Sequence, residues 1–302
     1  MYDIIGDIHG HCDKLIALLL QMGYSKKGEA YQHPDGRRVI FVGDYIDRGP
    51  AIPDTLHLVK AMVEEQQAIA LMGNHEYNAI LFNALNKEKG GYLRSHKIKN
   101  IVQHYETLVQ FKGKDKTYRA YIEWFMTLPL FYENEDFRVV HASWDERDIS
   151  YLKERLGGNL LIPEILPEAV VRGSPAFHHI NNTLKGKEMA LPAATSFFDK
   201  DGFERHNLRI RWWENPQNLT WKEYAVLPFD GLPDALVDCD EAAYPKTAKP
   251  VFFGHYWLRG LPQLMAPNAC CVDYSVAKGD KLVAYRWDGN PKLSVQNFVW
   301  VV

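Results

Sequence analysis

Five short polar segments each accompany an apolar run of strand length, and this arrangement constrains the fold more than any other feature of the chain. They are residues 6–10 (GDIHG), 43–49 (GDYIDRG), 73–76 (GNHE), 139–143 (VVHAS) and 252–255 (FFGH). Each segment places Asp, Asn or His where a strand ends and the backbone must turn. An α/β sheet collects its functional side chains at such strand ends.

The first quarter of the chain alternates between strand-like and helix-like patterns. Apolar residues recur at helical spacing over 13–22 and 52–63, a short apolar strand is predicted over 2–6, and continuous apolar runs occupy 39–42 and 68–72. Continuous apolar strands are typical of a sheet that is covered on both faces. The order β-α-β-α-β therefore predicts an α/β protein.

The remainder of the chain predicts helices, a hairpin and a late return of strands. We expect residues 76–119 to be mostly helical and residues 130–141 to form a hairpin, and we place strands at 251–253, 269–273, 282–286 and 295–301. Polar segments of the same kind occur in both the first and last thirds of the chain. We therefore expect a single domain over 1–302, in which 144–249 is an irregular insertion that could cap a cleft.

Composition excludes several classes of protein. The chain carries 35 Lys and Arg against 38 Asp and Glu, a net charge of −3, which does not suit coating nucleic acid or an acidic membrane. No apolar run is long enough to span a bilayer. Its four cysteines show neither a disulfide framework nor a zinc-binding spacing. We expect a reduced, cytoplasmic protein with no membrane and no stable nucleic-acid partner.

The residue types in the five segments suit divalent metal ions. Carboxylate, carboxamide oxygen and imidazole together fit Mn, Fe or Zn. In an extended segment Asp7 and His9 project to the same side, so both can reach one ion. The two oxygens of Asp44 could bridge two ions, and two ions roughly 3.5–4 Å apart can activate a water molecule and clamp a phosphate.

Together the five segments resemble the signature of the calcineurin-like metallophosphoesterases, and more narrowly that of the phosphoprotein phosphatases. The segments 43–49 and 73–76 carry the narrower resemblance. The bacterial branch is most similar, with its symmetrical dinucleoside tetraphosphate hydrolases and small protein phosphatases. The resemblance implies a four-layer α/β/β/α sandwich of two mixed sheets with a dimetal site at the strand ends.

The resemblance also implies roles for individual residues. It implies two divalent ions, with Mn expected first and Fe or Zn as alternatives. The ligands it implies are Asp7, His9 and Asp44 for one ion, and Asp44, Asn74, His141 and His255 for the other. By the same resemblance His75 is the proton donor to the leaving oxygen, Asp47 orients it, and Arg48 clamps the phosphate, a role suited to its planar donor fork.

Three positions depart from the family pattern. Ala142 and Ser143 follow His141 where the family usually has glycine, and small residues still fit there. Residues 273–275 read Asp-Tyr-Ser, whereas the bacterial branch has Asp-Thr-Gly. No clear motif marks the family's second phosphate-binding arginine. Arg211 is the candidate, and the alternative is a surface arginine stacked on a tryptophan.

The sequence leaves the substrate open. We expect a phosphorylated substrate, with hydrolysis of phosphate monoesters of protein or small molecules by a metal-bridging hydroxide. A symmetrical dinucleoside tetraphosphate hydrolase is an alternative, favoured by the net charge of +6 over 86–119 and by insertion aromatics such as Trp212 and Trp213 that could stack a base. Those aromatics could instead form a core of the insertion. A nucleic-acid end phosphatase is a third substrate option, and a non-catalytic phosphate-binding or scaffold protein belongs to another class. The intact set of site residues argues against the last.

Overall fold

The computed structural model describes residues 1–192, 195–198 and 204–302, so a small part of the predicted insertion lies outside the described residues. The α-helices are α1 (Cys12–Gln21), α2 (Ile52–Glu64), α3 (Asn74–Asn83), α4 (Ile98–Gln110), α5 (Asp115–Phe125), α6 (Glu146–Leu156), α7 (Leu166–Ala169), α8 (Pro175–Lys185) and α9 (Trp221–Tyr224). The strands are β1 (Tyr2–Ile5), β2 (Ser25–Lys27), β3 (Ala30–Gln32), β4 (Arg38–Phe41), β5 (Ala68–Ala70), β6 (Phe131–Glu133), β7 (Arg138–Val140), β8 (Glu188–Ala190), β9 (Phe197–Phe198), β10 (Glu204–Arg205), β11 (Asn207–Arg209), β12 (Val251–Phe253), β13 (Ala269–Cys271), β14 (Asp273–Tyr274), β15 (Lys281–Trp287) and β16 (Phe298–Val301). Within the described ranges, no helix has the length and apolar character needed to cross a membrane. The cytoplasmic location stays a prediction.

Two mixed sheets form the centre of the protein. The first has the strand order β14-β15-β1-β4-β5, with β16 also paired to β15. Its strands β1, β4 and β5 run parallel, and β15 runs antiparallel to β1. The second has the order β13-β12-β7-β6, in which β12 is parallel to both β13 and β7, and β6 is antiparallel to β7.

The two sheets pack face to face and carry helices on their outer faces. Alternate residues of a strand point to opposite faces. Ile4 and Ile40 of the first sheet share one buried cluster with Val139 and Phe252 of the second, so this cluster lies between the sheets. The alternate strand residues belong to a second cluster, which they share with apolar residues of α1, α2, α6 and α8. The predicted α/β fold with two mixed sheets in a layered sandwich is therefore confirmed.

Most local predictions are also confirmed to within two residues, and two predicted strands differ by more. The hairpin over 130–141 forms from β6 and β7, with the Asn134 side chain accepting hydrogen bonds from the backbone of its turn. The single strand predicted over 269–273 divides at Val272, because β13 belongs to the second sheet and β14 to the first. A 3-10 turn precedes β16, so the strand predicted over 295–301 begins at Phe298.

The described residues of the segment 144–249, predicted as an irregular insertion, fall into two parts. Its first part contains α6, α7 and α8, whose apolar residues join the main core. Its later part contains the short strand pairs β8–β11 and β9–β10 and a small core of its own around Trp221 and Tyr224. The prolines and polar residues between these helices conceal their periodicity in the sequence. A capping role for the segment stays a prediction.

Trp212 and Trp213 are buried in the main core and do not face solvent. Their exposed fractions are 2% and 4%. Both rings pack on Phe253, with centroid distances of 5.0 and 5.2 Å, and Trp213 also packs edge-on against Tyr256. These two tryptophans therefore cannot stack a nucleobase, and their aromatic surface instead holds the second part of the insertion against β12.

We predict that Trp213→Ala lowers the free energy of unfolding by about 3–5 kcal/mol, because it removes a large buried side chain and leaves a cavity. Urea denaturation followed by tryptophan fluorescence measures the change. Leu227→Ala is the control, since Leu227 lies in the same insertion but is 56% exposed. A Trp213→Ala variant as stable as the Leu227→Ala variant would contradict this account of the core.

Candidate metal centre

The polar loops that follow strands of both sheets meet at one buried site. The parallel strands β1, β4 and β5 deliver loops from the first sheet, and β7 and β12 deliver loops from the second. The six predicted metal ligands all lie there, and each is at most 9% exposed: Asp7, His9, Asp44, Asn74, His141 and His255. The structure therefore brings together the ligand set that the sequence predicted.

The carboxylate of Glu76 holds two of these loops together. It is fully buried and accepts hydrogen bonds from the backbone N–H groups of Asp44, Tyr45 and Gly73 at 2.9, 2.8 and 3.0 Å. At Gly73 only glycine fits, since a Cβ atom there would lie 2.2 Å from Asp44 Oδ1. The sequence analysis quoted Glu76 within its motif but gave it no role. Its position three residues after Gly73, as in a capping box, was the available signal.

Asp44 lies between two groups of imidazoles. His9, Asp44 and His75 form one group, and Asp44, His141 and His255 form the other; in each group the candidate ligand atoms lie within 4.8 Å of one another. Asn74 joins the second group, because its Oδ1 lies 3.1 Å from His141 Nε2 and 2.7 Å from His255 Nδ1. One carboxylate thus faces two clusters, each of a size suited to one metal ion.

The backbone fixes which nitrogen of each imidazole faces the cluster. His9 Nδ1 donates to the Ile46 carbonyl at 2.8 Å, and His141 Nδ1 donates to the Val42 carbonyl at 2.9 Å. Their Nε2 atoms then face Asp44 oxygens at 3.6 and 3.5 Å. Within the described part of the chain, Nε2 of His9 and Nε2 of His255 are buried without a hydrogen-bond partner. An imidazole oriented by a backbone carbonyl, with its other nitrogen free, is the usual state of a metal ligand.

The buried carboxylates of the site repel one another. Burial raises the pKa of Asp7 well above its usual range, and the nearby carboxylates of Asp273 and Asp44 raise it further. Burial also opposes ionisation of Asp44, but the imidazoles of His141 and His75 outweigh it and hold the pKa of Asp44 well below its usual range. Cations at the centre would relieve the repulsion between Asp7 and Asp44. The residues therefore fit divalent metal ions.

His75 and Asp47 form a buried pair beside the cluster. His75 Nδ1 lies 2.5 Å from one oxygen of Asp47, and His104 Nδ1 lies 2.7 Å from the other. Thr107 Oγ1 also donates to that second oxygen at 2.5 Å. Burial would raise the pKa of Asp47, but the hydrogen bonds from His104 and His75 hold it well below its usual range. His104 and Thr107 lie on α4, far along the sequence, and no motif in the sequence signals them.

Arg48 also lies at the candidate metal centre, and its guanidinium packs against an aromatic ring. Its Nη2 lies 3.3 Å from His75 Nε2, and its Cζ lies 3.4 Å from the centroid of the Trp257 indole. Its Nη1 is buried without a hydrogen-bond partner among the described residues. A buried guanidinium with a free donor suits an anionic ligand. Trp257 was not singled out from the sequence, although it follows His255 by only two residues.

Arg211 and Arg209 differ in their relation to the cluster. Arg211 donates from Nε to the Ala225 carbonyl at 3.0 Å, within the insertion. Burial lowers the pKa of His255, and the positive charge of Arg209 lowers it further, so Arg209 is electrostatically coupled to the cluster. The role predicted for Arg211 stays a prediction, and Arg209 is a second candidate with the stronger coupling.

Strained backbone conformations concentrate at the site. The described residues include nine non-glycine positions with positive φ, and six of them line the site: His9, Asp44, Asp47, Arg48, His255 and Trp257. Such conformations cost of order 1–3 kcal/mol each and persist where the surroundings enforce them. Their concentration here indicates that the loops are shaped for side-chain placement rather than for local stability.

Comparison with known proteins indicates the family to which the chain belongs. The family model described as calcineurin-like phosphoesterase matches residues 2–180. The asymmetrical bis(5'-nucleosyl)-tetraphosphatase PrpE of Oceanobacillus iheyensis is 31% identical over 175 residues, which is 57% of this chain and 68% of that protein. The protein of the same name from Halalkalibacterium halodurans is 31% identical over 181 residues, which is 58% of this chain and 70% of that protein.

A solved structure extends the similarity of fold over nearly the whole chain. A protein serine/threonine phosphatase from Saccharomyces cerevisiae, described as similar to human phosphatase PP5, aligns with 99% of this chain and 78% of its own at a TM-score of 0.52 and 15% identity. At that identity the match concerns the fold alone. With the family match and the histidine–aspartate clusters, it leads to one conclusion: the chain belongs to the calcineurin-like phosphoesterase family and is a phosphoesterase hydrolase.

Proposed function

We propose that this protein hydrolyses phosphoanhydride bonds of dinucleoside polyphosphates at a centre of two divalent metal ions. The observation that carries the metal-dependent chemistry is the buried Asp44 carboxylate between two groups of imidazoles, with the His75–Asp47 pair beside it. The substrate class is supported by the relatives named as bis(5'-nucleosyl)-tetraphosphatases, which are about a third identical over their shared length. Hydrolysis of phosphate monoesters is the competing substrate class.

The six buried ligands would hold the ions in the arrangement predicted from the sequence. Asp7, His9 and Asp44 would bind one ion, and Asp44, Asn74, His141 and His255 would bind the other. Bound divalent ions lower the pKa of a water molecule and neutralise charge on the phosphate. Mn is the expected metal, with Fe and Zn as alternatives.

His75 is placed to donate a proton to the leaving oxygen. The Asp47 carboxylate accepts the proton-bearing Nδ1 of His75 at 2.5 Å, and it remains ionised because its pKa is low. With Nδ1 donating to the Asp47 carboxylate, Nε2 is the nitrogen of His75 left for proton transfer to the substrate. His104 and Thr107 hydrogen-bond the other oxygen of the Asp47 carboxylate and hold it in position.

Arg48 is placed to bind the phosphate that reacts. Stacking on Trp257 orients its guanidinium plane, and the free Nη1 can donate to a phosphate oxygen. Arg209, or Arg211 as predicted from the sequence, would supply a second cation from the side of His255. The arginines would thus donate hydrogen bonds to the phosphate, and His75 would face the leaving oxygen.

A turnover screen tests the proposed substrate class. The Mn-loaded protein is assayed with diadenosine tetraphosphate, a phosphoserine peptide and p-nitrophenyl phosphate. We expect the highest kcat/KM for diadenosine tetraphosphate, with mono- and triphosphate products, because the relatives are named asymmetrical. A symmetrical hydrolase was the alternative that the sequence left open beside a monoesterase. A higher kcat/KM for the phosphopeptide would assign the protein to the monoesterases.

We predict that metal removal abolishes turnover and that Mn restores it. Asp44→Asn should remove most of the metal from both positions, because Asp44 is the only ligand shared by the two groups. His57→Asn is a matched control, since His57 is an exposed histidine paired with Glu29 on the surface. Elemental analysis measures the metal content. Full turnover by a preparation that contains no metal would refute the mechanism.

We predict that His75→Asn lowers kcat by about 10²–10⁴-fold, the usual contribution of a positioned general acid. The loss should be smaller for p-nitrophenyl phosphate, whose leaving group needs little protonation. Steady-state kinetics with the two substrates, at equal metal content, measures the difference. An equal loss for both substrates would exclude the role of proton donor.

We predict that Trp257→Ala weakens competitive inhibition by orthophosphate about 2- to 30-fold, because a cation–π contact of about 0.5–2 kcal/mol no longer orients Arg48. Trp257→Phe should recover part of the affinity, since it retains an aromatic face. The inhibition constant is measured at equal metal content. Orthophosphate affinity that is unchanged in the alanine variant would remove Trp257 from the site.

A further inference from the structure

Two cations lie against α3 just after His75, and the proposed chemistry does not use them. Lys185 is the last residue of α8, and its Nζ lies 5.5 Å from the centroid of the Tyr77 ring. Tyr77 is on α3, two residues after His75. Lys185 is therefore anchored next to the helix whose first turn carries the candidate acid.

Arg94 is anchored to the same helix through neutral partners. Its Nη1 donates to Asn78 Oδ1 at 3.1 Å, and its Nη2 donates to Gln103 Oε1 at 2.7 Å. Burial lowers the pKa of Arg94, and the Asp47 carboxylate opposes that shift, so Arg94 lies within electrostatic range of the catalytic pair. Two amide oxygens hold the guanidinium in place without neutralising it.

Neither cation has an anionic partner at close range in the part of the chain that the structure describes. The ion pairs there include no carboxylate within 4.0 Å of Lys185 or Arg94. Burial lowers the pKa of Lys185 to about 8, and the positive charge of Arg94 contributes to the shift. Like charges that are partly buried and unpaired destabilise a protein, and an anionic ligand would reverse the penalty.

Lys185 and Arg94 lie against consecutive residues of α3, Tyr77 and Asn78, which follow His75 by two and three positions. Burial lowers the pKa of Lys185, and the positive charges of Arg94 and Arg209 lower it further, so the three cations act on one another. The geometry thus brings two cations to the same turn of α3, and neither of them is Arg48.

We propose that Lys185 and Arg94 form a second phosphate site, which binds a phosphoryl group of the substrate beyond the one that is attacked. The inference rests on the proposed function, because it concerns the same cleft. Its ligand is a phosphoanhydride chain, whether from a dinucleoside polyphosphate or from inorganic polyphosphate. Consecutive phosphoryl groups carry negative charges a few atoms apart, so two cations held at the same turn of a helix complement them. A phosphomonoester has no second phosphoryl group to place there.

The Lys185→Gln variant tests the second site through selectivity. The ratio of kcat/KM for diadenosine tetraphosphate to kcat/KM for p-nitrophenyl phosphate should fall about 10- to 100-fold, the worth of one charged hydrogen bond. Lys185→Arg should restore most of the ratio. Lys153→Gln is the control, because it removes the same charge from a lysine that is already paired with Glu133. An unchanged ratio in Lys185→Gln would overturn the proposal.

A binding measurement separates this inference from the proposed activity. Calorimetry with chelator-treated, metal-free protein compares inorganic tripolyphosphate with orthophosphate. Lys185→Gln should weaken tripolyphosphate binding about tenfold or more, and orthophosphate binding by a smaller factor. Equal losses for both anions would overturn the second site. Should Lys185→Gln fold poorly, Arg94→Gln provides an independent variant with the same expected pattern.

These measurements separate the second phosphate site from the proposed function. They also separate the two sources of the ligand. Loss of the proposed activity, with selective tripolyphosphate binding retained, would reject the function but keep the second site. Turnover of diadenosine tetraphosphate with an unchanged selectivity ratio in Lys185→Gln would do the reverse. A higher kcat/KM for diadenosine tetraphosphate than for tripolyphosphate identifies the nucleotide as the source, and the opposite order identifies inorganic polyphosphate.

Discussion

The burial of the Asp44 carboxylate among four imidazoles is the constraint on which the rest of the site depends. An isolated buried carboxylate is costly, and the surrounding histidines stabilise its charge only partly, because burial lowers the pKa of His9 and of His255. The second carboxylate at Asp7 adds repulsion, which raises the pKa of that group. Divalent ions would satisfy both carboxylates and the unpaired imidazole nitrogens at once. The buried carboxylates and imidazoles therefore form a site whose charges and free nitrogens would be satisfied by bound metal ions.

The fold supplies this arrangement by joining the strand ends of two sheets. Asp44 follows β4 of the first sheet, whereas His141 and His255 follow β7 and β12 of the second, so the packing of the sheets brings the ligands together. Glu76 then fixes the loop geometry by accepting three backbone hydrogen bonds, and positive φ angles turn the side chains inward. Stability is given up locally in these loops and is recovered in the apolar core between and around the sheets.

The candidate ligands could be predicted from the sequence because each follows an apolar strand within one short motif, and local patterns identify strand ends. Partners that reach the site from other elements could not be found this way. His104 binds Asp47 across 57 positions, and Lys185 of α8 lies 5.5 Å from the Tyr77 ring of α3, which is distant in the sequence. Trp212 and Trp213 illustrate the opposite case. As aromatic residues of the insertion they suggested a surface that could stack a base, but burial against Phe253 makes them core residues. Which faces of distant helices meet is decided by tertiary packing, which short motifs do not encode.

The proposed mechanism depends above all on Asp44 lying between two metal ions. Anomalous diffraction from a crystal of the Mn-loaded protein tests it most directly, because it locates the metal without reference to activity. The account predicts two Mn peaks roughly 3.5–4 Å apart, with Asp44 bound to both. One peak should also be bound by His9, and the other by His141 and His255. A single peak, or two peaks of which only one contacts Asp44, would contradict the claim.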